Sequence, residues 1–398
     1  MKHSFYFRFY KILHNDTLSC WLSQLAYFIY CFVYVLKKVT HKRLVPSIAC
    51  QEAHDIINDI YPRHSCKPKY ENKPVNNELD LSIIVPVYNY VSIIEKNINA
   101  ILNQKTKYQY QVIIVDDGST DGAAEVIRRY ETNPKVTLIF QNNAGIGAAR
   151  NTGINVADGK YLMFVDCDDI VHDDIVEVLL DKAYSDNFDM VMCAHNLSKE
   201  RNGEVYQEIP NVYTQKNLMG YKNNDAIMNL AGLPWCKVYK RELWNQVRFF
   251  PSYWYEDTII QFLIFSQCTN RYAYIPKIEY EYKWYEKNFS HIQGNNTNIK
   301  TIDTYWILIE ILEQYERIGL PKDDKLYTLI LRHISAYYYG TIKGLDSETV
   351  EALYLLAKEL YLIYKPNHKV KLPYMLRQVE ESFDKDDIAL WKLTSSYQ

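Results

Sequence analysis

Residues 158–169 read Asp-Gly-Lys-Tyr-Leu-Met-Phe-Val-Asp-Cys-Asp-Asp. Tyr161 to Val165 lie between a turn signal and a cluster of acids, too few for a helix but enough for a buried strand. Asp166 and Asp168 stand two apart at the strand's end, so their side chains leave it on the same face. Two carboxylates on one face repel unless a cation lies between them, and hard oxygen ligands suit Mg²⁺ or Mn²⁺. The competing use of these acids is a helix cap, with Asp168 or Asp169 opening a helix that begins near Asp173. In open α/β sheets, ligands bind outside the carboxyl ends of the strands. The elements before the tip therefore decide between the two uses.

Those elements alternate. Residues 79–87 form a β-branched run ending in Pro86-Val87-Tyr88-Asn89, and Ile93, Ile94, Ile98, Ile101 and Leu102 then recur at helical spacing. Residues 111–115 predict a second strand, closed by Asp116-Asp117-Gly118-Ser119-Thr120-Asp121-Gly122 and followed by a helix through Tyr130. A third strand over 136–140, a loop over 142–147 and a helix over 148–157 lead into the acid-tipped strand. This alternation implies right-handed crossovers and a mostly parallel sheet with helices on both faces. Every polar cluster then falls at the carboxyl end of a strand.

Two decoys fail on spacing. Gly145-Ile-Gly147-Ala-Ala-Arg150 is close to a dinucleotide fingerprint, but arginine holds its third glycine position and it follows the third strand rather than the first. Asp117-x-Ser119-x-Asp121-Gly122 begins like a calcium loop, yet its twelfth position is Arg128 where a bidentate glutamate is required.

Four clusters remain, reading VPVYN, VDDGSTDG, NAGIGAARNTGI and DGKYLMFVDCDD. In order and spacing they resemble the nucleotide-sugar half of the inverting family 2 glycosyltransferases of GT-A (Rossmann-like) fold. WCKVYKREL (235–243) and WYEDTIIQF (254–262) are similar to that family's acceptor-side motifs, so the resemblance covers residues 79–290. It implies a nucleotide-sugar site built from Pro86, Tyr88, Asn89, Asp116, Asp117, Gly145, Arg150 and Asp166. Tyr88 would stack on the base, Asp116 or Asp117 would accept its imide N–H, and Arg150 would lie near the diphosphate. Asp168 would hold Mn²⁺ or Mg²⁺, with Asp166 serving ribose or metal and Asp169 capping the next helix. Asp257 would be the general base, with Glu256 as runner-up. The implied activity is metal-dependent hexosyl transfer from a nucleotide diphosphate sugar, a UDP-sugar, to a glycan or lipid-linked acceptor in surface polysaccharide synthesis. The acids at Glu256-Asp257 also open an apolar helix, where dipole placement alone would suit them. Trp235, Trp254 and Tyr255 are open to two uses, stacking on the acceptor sugar or filling the core. His291 is a further candidate ligand, and Lys283 stands where relatives tend to carry an arginine.

The whole chain sets bounds on these readings. Its 398 residues allow two or three domains, and a net charge of −3 gives no general attraction to nucleic acid. The eight cysteines contain no Cys-x-x-Cys pair and no close histidine partner, a pattern of free thiols in a reducing cytosol. Residues 20–36 are nearly all apolar and aromatic, preceded by Phe5 to Leu13 with Arg8 and Lys11, and followed by Lys37, Lys38, Lys42 and Arg43. Such a segment can lie on a membrane, span it, or pack on the protein. If it spans, the basic flank would keep the remainder on the inner, cytoplasmic face. Helical periodicity over 302–318, 325–339 and 350–364 predicts a C-terminal helical unit. The expected organisation is thus a membrane-associating extension (1–78), a transferase domain (79–290, with its nucleotide-sugar half over 79–195 and its acceptor half over 196–290) and a helical region (291–398). A catalytically silent nucleotide-sugar-binding assembly subunit is the alternative, and the acids at 166, 168 and 257 argue against it. A two-carboxylate glycosidase would need no nucleotide pocket.

Overall fold

Strand β1 (Leu81–Val87) is buried along its whole length, as its apolar sequence, interrupted only by Ser82, requires of a central parallel strand. In the computed structural model, which describes residues 16–201, 204–211, 232–268, 272–284 and 297–397, β1 is followed by α/β alternation. The order is α3 (Ile94–Leu102), β2 (Tyr110–Asp116), α4 (Ala123–Arg128), β3 (Val136–Phe140), α5 (Ile146–Val156) and β4 (Tyr161–Phe164). The order β3-β2-β1-β4 is parallel throughout. Odd-numbered β1 residues Leu81, Ile83, Val85 and Val87 share a core with Ile94, Ile98 and Ile101 of α3 and Val126 and Ile127 of α4. Leu179 and Leu180 of α6 (Ile175–Ser185) join the same core. On the other face Ile84 presses on α5, where a Cβ at Gly153 would meet it at 2.4 Å. Helices therefore cover both faces, as expected.

Beyond β4 the sheet becomes mixed. The two-residue β5 (Ile170–Val171) follows the acid tip, and then come β6 (Met190–Arg201), β7 (Glu204–Asn211), β8 (Lys237–Lys240) and β9 (Tyr272–Trp284). Strand β8 pairs antiparallel with both β4 and β6, whereas β6 and β9 run parallel. Insertion of β8 beside β4 brings Trp235 level with Phe164. The 235–240 segment thus lies beside the strand that leads into the acid tip.

The chain divides into two compact units, one formed by 64–292 with 306–320, the other by 1–63, 293–305 and 321–398. The second is helical. Its helices are α1 (Asp16–Thr40), α2 (Cys50–Ile60), the start of α7 (Asp303–Arg317), α8 (Asp324–Arg332), α9 (Tyr338–Ile342), α10 (Ser347–Tyr364), α11 (Tyr374–Asp384) and α12 (Ile388–Ser396). The single helix expected over 325–339 is broken by a π-helical turn at His333–Tyr337. There the Ser335 hydroxyl donates back to the carbonyls of Leu331 (2.6 Å) and Arg332 (3.1 Å), competing with the helix ladder.

Helix α1 buries one stripe and bares another. The Tyr34 hydroxyl meets Thr394 Oγ1 at 3.1 Å, the Tyr30 and Tyr397 rings lie 4.7 Å apart, and Lys38 pairs with Glu381 at 2.6 Å. Trp21, Leu25, Phe28, Ile29, Phe32, Val35 and Val39 remain exposed. Residues 21–40 form a helix long and apolar enough to cross a membrane. The basic-aromatic stretch before residue 16 lies outside the described residues. Helix α2 corrects the cysteine reading, because it sets His54 one turn from Cys50. Cys31, Cys50, Cys66, Cys167, Cys193, Cys236 and Cys268 are free thiols.

Candidate active site

Register fixes which strand ends meet. Val87 is level with Asp116, and the Asp117 amide donates to the Val87 carbonyl at 2.7 Å. Tyr88 thus leaves β1 beside the two acids that end β2, and its ring is exposed. Pro86 is buried within the strand and shapes its end without reaching solvent. Asn89 and Tyr90 both stand at φ +67°, a costly conformation for non-glycine residues. Lacing between the loops offsets it. The Asn89 amide donates to Ser119 Oγ at 2.8 Å, and Asn89 Oδ1 accepts from the Thr120 amide at 2.9 Å.

Asp116 and Asp117 are neighbours with different duties. Asp117 accepts from the Gln141 side chain (2.7 Å) and from the amides of Ala144 (3.0 Å) and Gly145 (2.8 Å). Burial pushes its carboxyl up, and these three donors pull the other way. Gly145 holds φ +89° and ψ 160°, a pairing that only glycine adopts without strain. Asp116 accepts at one oxygen from the Ser119 amide, at 3.3 Å. Its other oxygen, Oδ1, is buried with no partner among the described residues. A buried acceptor left unmatched is expensive, and this one sits at the carboxyl end of β2.

The acid tip follows β4, whose course is continued by the Val165 amide donating to the Ile84 carbonyl at 3.0 Å. Burial, then the charge of Asp166, pushes the Asp168 carboxyl up to about 7. Repulsion of this kind is what a divalent cation between hard oxygen donors would relieve. Asp169 is not the helix cap expected of it, since β5 intervenes and α6 starts at Ile175. Its carboxylate is fully buried, accepting from the Tyr280 hydroxyl (2.7 Å) and the Lys283 amide (2.9 Å). The turn itself is held by Asn97, whose side-chain amide donates to the carbonyls of Asp166 (3.0 Å) and Asp169 (2.7 Å).

Arg150 rises from α5, buried, between two acids from distant parts of the chain. It donates to Asp166 at 2.8 Å and to Glu256 at 2.7 Å. Burial pulls the guanidinium down, but the carboxylates of Asp166 and Glu256 hold it above the ordinary arginine range. Among the described residues Glu256 is ion-paired and Asp257 is not. Burial, then the charge of Glu256, pushes the Asp257 carboxyl up to about 7. Nearby Lys237 is fully buried, donates to the Leu233 carbonyl at 2.7 Å, and is lowered to about 8 by that burial. Trp235 stacks on Tyr280 and Tyr282, with centroids at 4.8 and 5.2 Å. Trp235, Trp254 and Tyr255 are all buried. His291 lies outside the described residues.

Comparison with known proteins bears on this geometry. The profile of Glycosyl transferase family 2 matches residues 82–247, the interval that holds Tyr88, Asp116, Asp117, the acid tip and the Trp235–Lys237 segment. The uncharacterized glycosyltransferase YibD of Escherichia coli is 31% identical over 253 residues, covering 61% of this chain and 73% of that protein. The chain belongs to glycosyl transferase family 2. This glycosyltransferase is also 30% identical over 223 residues to the glycosyltransferase GlyA of Streptococcus pneumoniae, covering 53% of this chain and 32% of GlyA. Among solved structures, residues 1–349 of S. aureus TarS in complex with UDP-GlcNAc overlap 80% of this chain and 90% of that one, at 17% identity and a TM-score of 0.48.

The sequence reading of the transferase overlooked three supports. Asn97 carried a signal, being an amide on the otherwise apolar face of α3 with Ile94, Ile98 and Ile101. Tyr280 and Gln141 carried none, because nothing local marks which of 36 tyrosines or which loop glutamine reaches a carboxylate.

Proposed function

We propose that this transferase moves a sugar from a UDP-sugar to a hydroxyl of a glycan or lipid-linked acceptor, inverting the anomeric carbon. The observation that carries the reading is the buried, unmatched Asp116 Oδ1 beside the exposed Tyr88 ring. A uracil stacked on Tyr88 would give its imide N–H to that oxygen, whereas cytosine has no N–H to offer there. Asp117, occupied by the 141–145 loop, supports the pocket rather than the base.

Asp168, with Asp166, would hold Mn²⁺ or Mg²⁺, a cation that supplies charge neutralisation for a departing diphosphate. Arg150 fixes Asp166 and Glu256 relative to each other. The tie to Arg150 makes Glu256 a poor base, and Asp257 takes the role. It removes the proton from the acceptor hydroxyl as that oxygen bonds to the anomeric carbon, and the sugar–diphosphate bond breaks with its electron pair leaving on UDP. The transferase domain is proposed to run over 79–290, with its donor half over 79–195.

The exposed stripe of α1 supports a place at the membrane surface, where lipid-linked acceptors of surface polysaccharide synthesis lie. Tyr30, Tyr34 and Lys38 tie the opposite stripe to α11 and α12 or to the residue after α12. A helix tied along its flank lies on a bilayer rather than crossing it. Lys37, Lys42 and Arg43 would face the anionic inner leaflet.

The test is the purified chain with Mn²⁺ and a panel of UDP- and GDP-sugars, reading nucleotide release and nucleotide binding. Release from at least one UDP-sugar is expected. Neither release nor metal-dependent UDP binding with any donor would overturn the proposal.

A further inference from the structure

Cys50 and His54 occupy the first two turns of α2, four residues apart, and so share one face of that helix. Facing them is Glu359 of α10, whose Oε2 lies 2.7 Å from His54 Nε2. One donor atom from each of the three falls within 4.8 Å of the others. We propose that Cys50, His54 and Glu359 form a zinc site that fastens α2 to α10, separate in residues and in donor chemistry from the acid tip.

Three observations carry this. The first is donor type: a thiolate, an imidazole and a carboxylate together select a borderline cation such as Zn²⁺, whereas Asp166 and Asp168 offer oxygen alone. The second is spacing. Bonds of about 2.0 to 2.3 Å put donors around a tetrahedral zinc roughly 3.3 to 3.8 Å apart. His54 Nε2 and Glu359 Oε2 lie closer than that, at 2.7 Å, and all three donors fall within 4.8 Å of one another, so small side-chain rotations close the site. The third is support from outside the site. Two turns earlier on α10, Glu351 accepts from the Ser47 amide, the Ser47 hydroxyl (2.9 Å) and the Ile48 amide (3.3 Å). That clamp pins the entrance of α2, while Ala53 and Ile57 are fully buried along its seam. Cys50 is exposed, and the His54 and Glu359 side chains are 31% and 39% exposed. Solvent can therefore deliver the ion and supply water as a fourth ligand.

Cobalt serves as the probe, because a thiolate-to-Co²⁺ charge-transfer band in the near ultraviolet arises only from a sulfur ligand. Full-length protein, kept reduced with a phosphine, is titrated with Co²⁺. The expected result is a band that saturates at one equivalent, bleaches with Zn²⁺, vanishes in Cys50→Ser and persists in Asp168→Asn. Glu359→Gln should weaken binding by at least the roughly 10- to 100-fold that loss of a supporting partner costs. Zn²⁺ should also raise the melting temperature of the wild type but not of Cys50→Ser, with circular dichroism confirming that the variant folds. No band in the wild type, or a band unchanged in Cys50→Ser, would overturn the site and leave His54 and Glu359 as an ordinary ion pair.

Discussion

Asp116 and Asp117 differ by one position and by everything that surrounds them. The loop after β3 saturates Asp117 and leaves Asp116 with an idle oxygen. Sequence left the choice between them open because both fit the motif; only the long-range contact with residues 141–145 separates them. Asp116→Asn should lose a charged hydrogen bond worth about 1.5–3 kcal/mol, weakening UDP binding about 10- to 100-fold, while Asp117→Asn should cost thermal stability as well. Isothermal titration alongside melting curves reads both. As the proposed base, Asp257 would set the pH response. A carboxyl raised to about 7 is protonated, and useless as a base, below that pH. Hence kcat/KM should fall about tenfold per unit below roughly pH 7 and level off above it. A profile that stays flat down to pH 5 would remove Asp257 from the role.

At the scale of elements, the parallel strands and their helices were legible because apolar period and turn chemistry are local signals. The expected bounds of the strand at 136–140 match β3. Strand β8 was not legible: Lys237–Lys240 is only four residues long, and its place beside β4 is decided by pairing across some seventy residues of chain. The acid tip was found, but its wiring was not. Asp169 reads as a cap when only its neighbours are considered, and as a buried anchor once β9 delivers Tyr280. Tyr280→Phe would leave that carboxylate short of a donor and cost about 1–3 kcal/mol. At about 2–4 °C per kcal/mol for a domain of this size, a melting experiment resolves the loss. Unchanged melting would show that Tyr280 is dispensable to the tip.

For the molecule as a whole, sequence offered three possible lives for residues 20–36, and the contacts of α1 draw on two of them. One flank packs on the helical unit, and the other is left bare. Replacing Trp21, Phe28 and Phe32 with serine touches the bare flank alone. In liposome flotation the wild type should rise with anionic vesicles and the triple variant should stay at the bottom, with UDP release in solution unchanged. Equal flotation of the two would remove α1 from membrane binding. The kinship of the N- and C-terminal segments was hidden from any local pattern, since helical periodicity shows that a face is apolar and not what it meets.

That kinship has a consequence for biosynthesis. Tyr34 waits for Thr394, a partner 360 residues later, so α1 leaves the ribosome with both flanks uncovered and stays so until the segment that carries Thr394 has emerged. Throughout that interval a lipid surface is the apolar partner within reach, and a nascent chain settled there would complete its fold on the membrane. Ribosome-bound chains stalled before residue 374 should therefore sediment with added vesicles more strongly than the finished protein does.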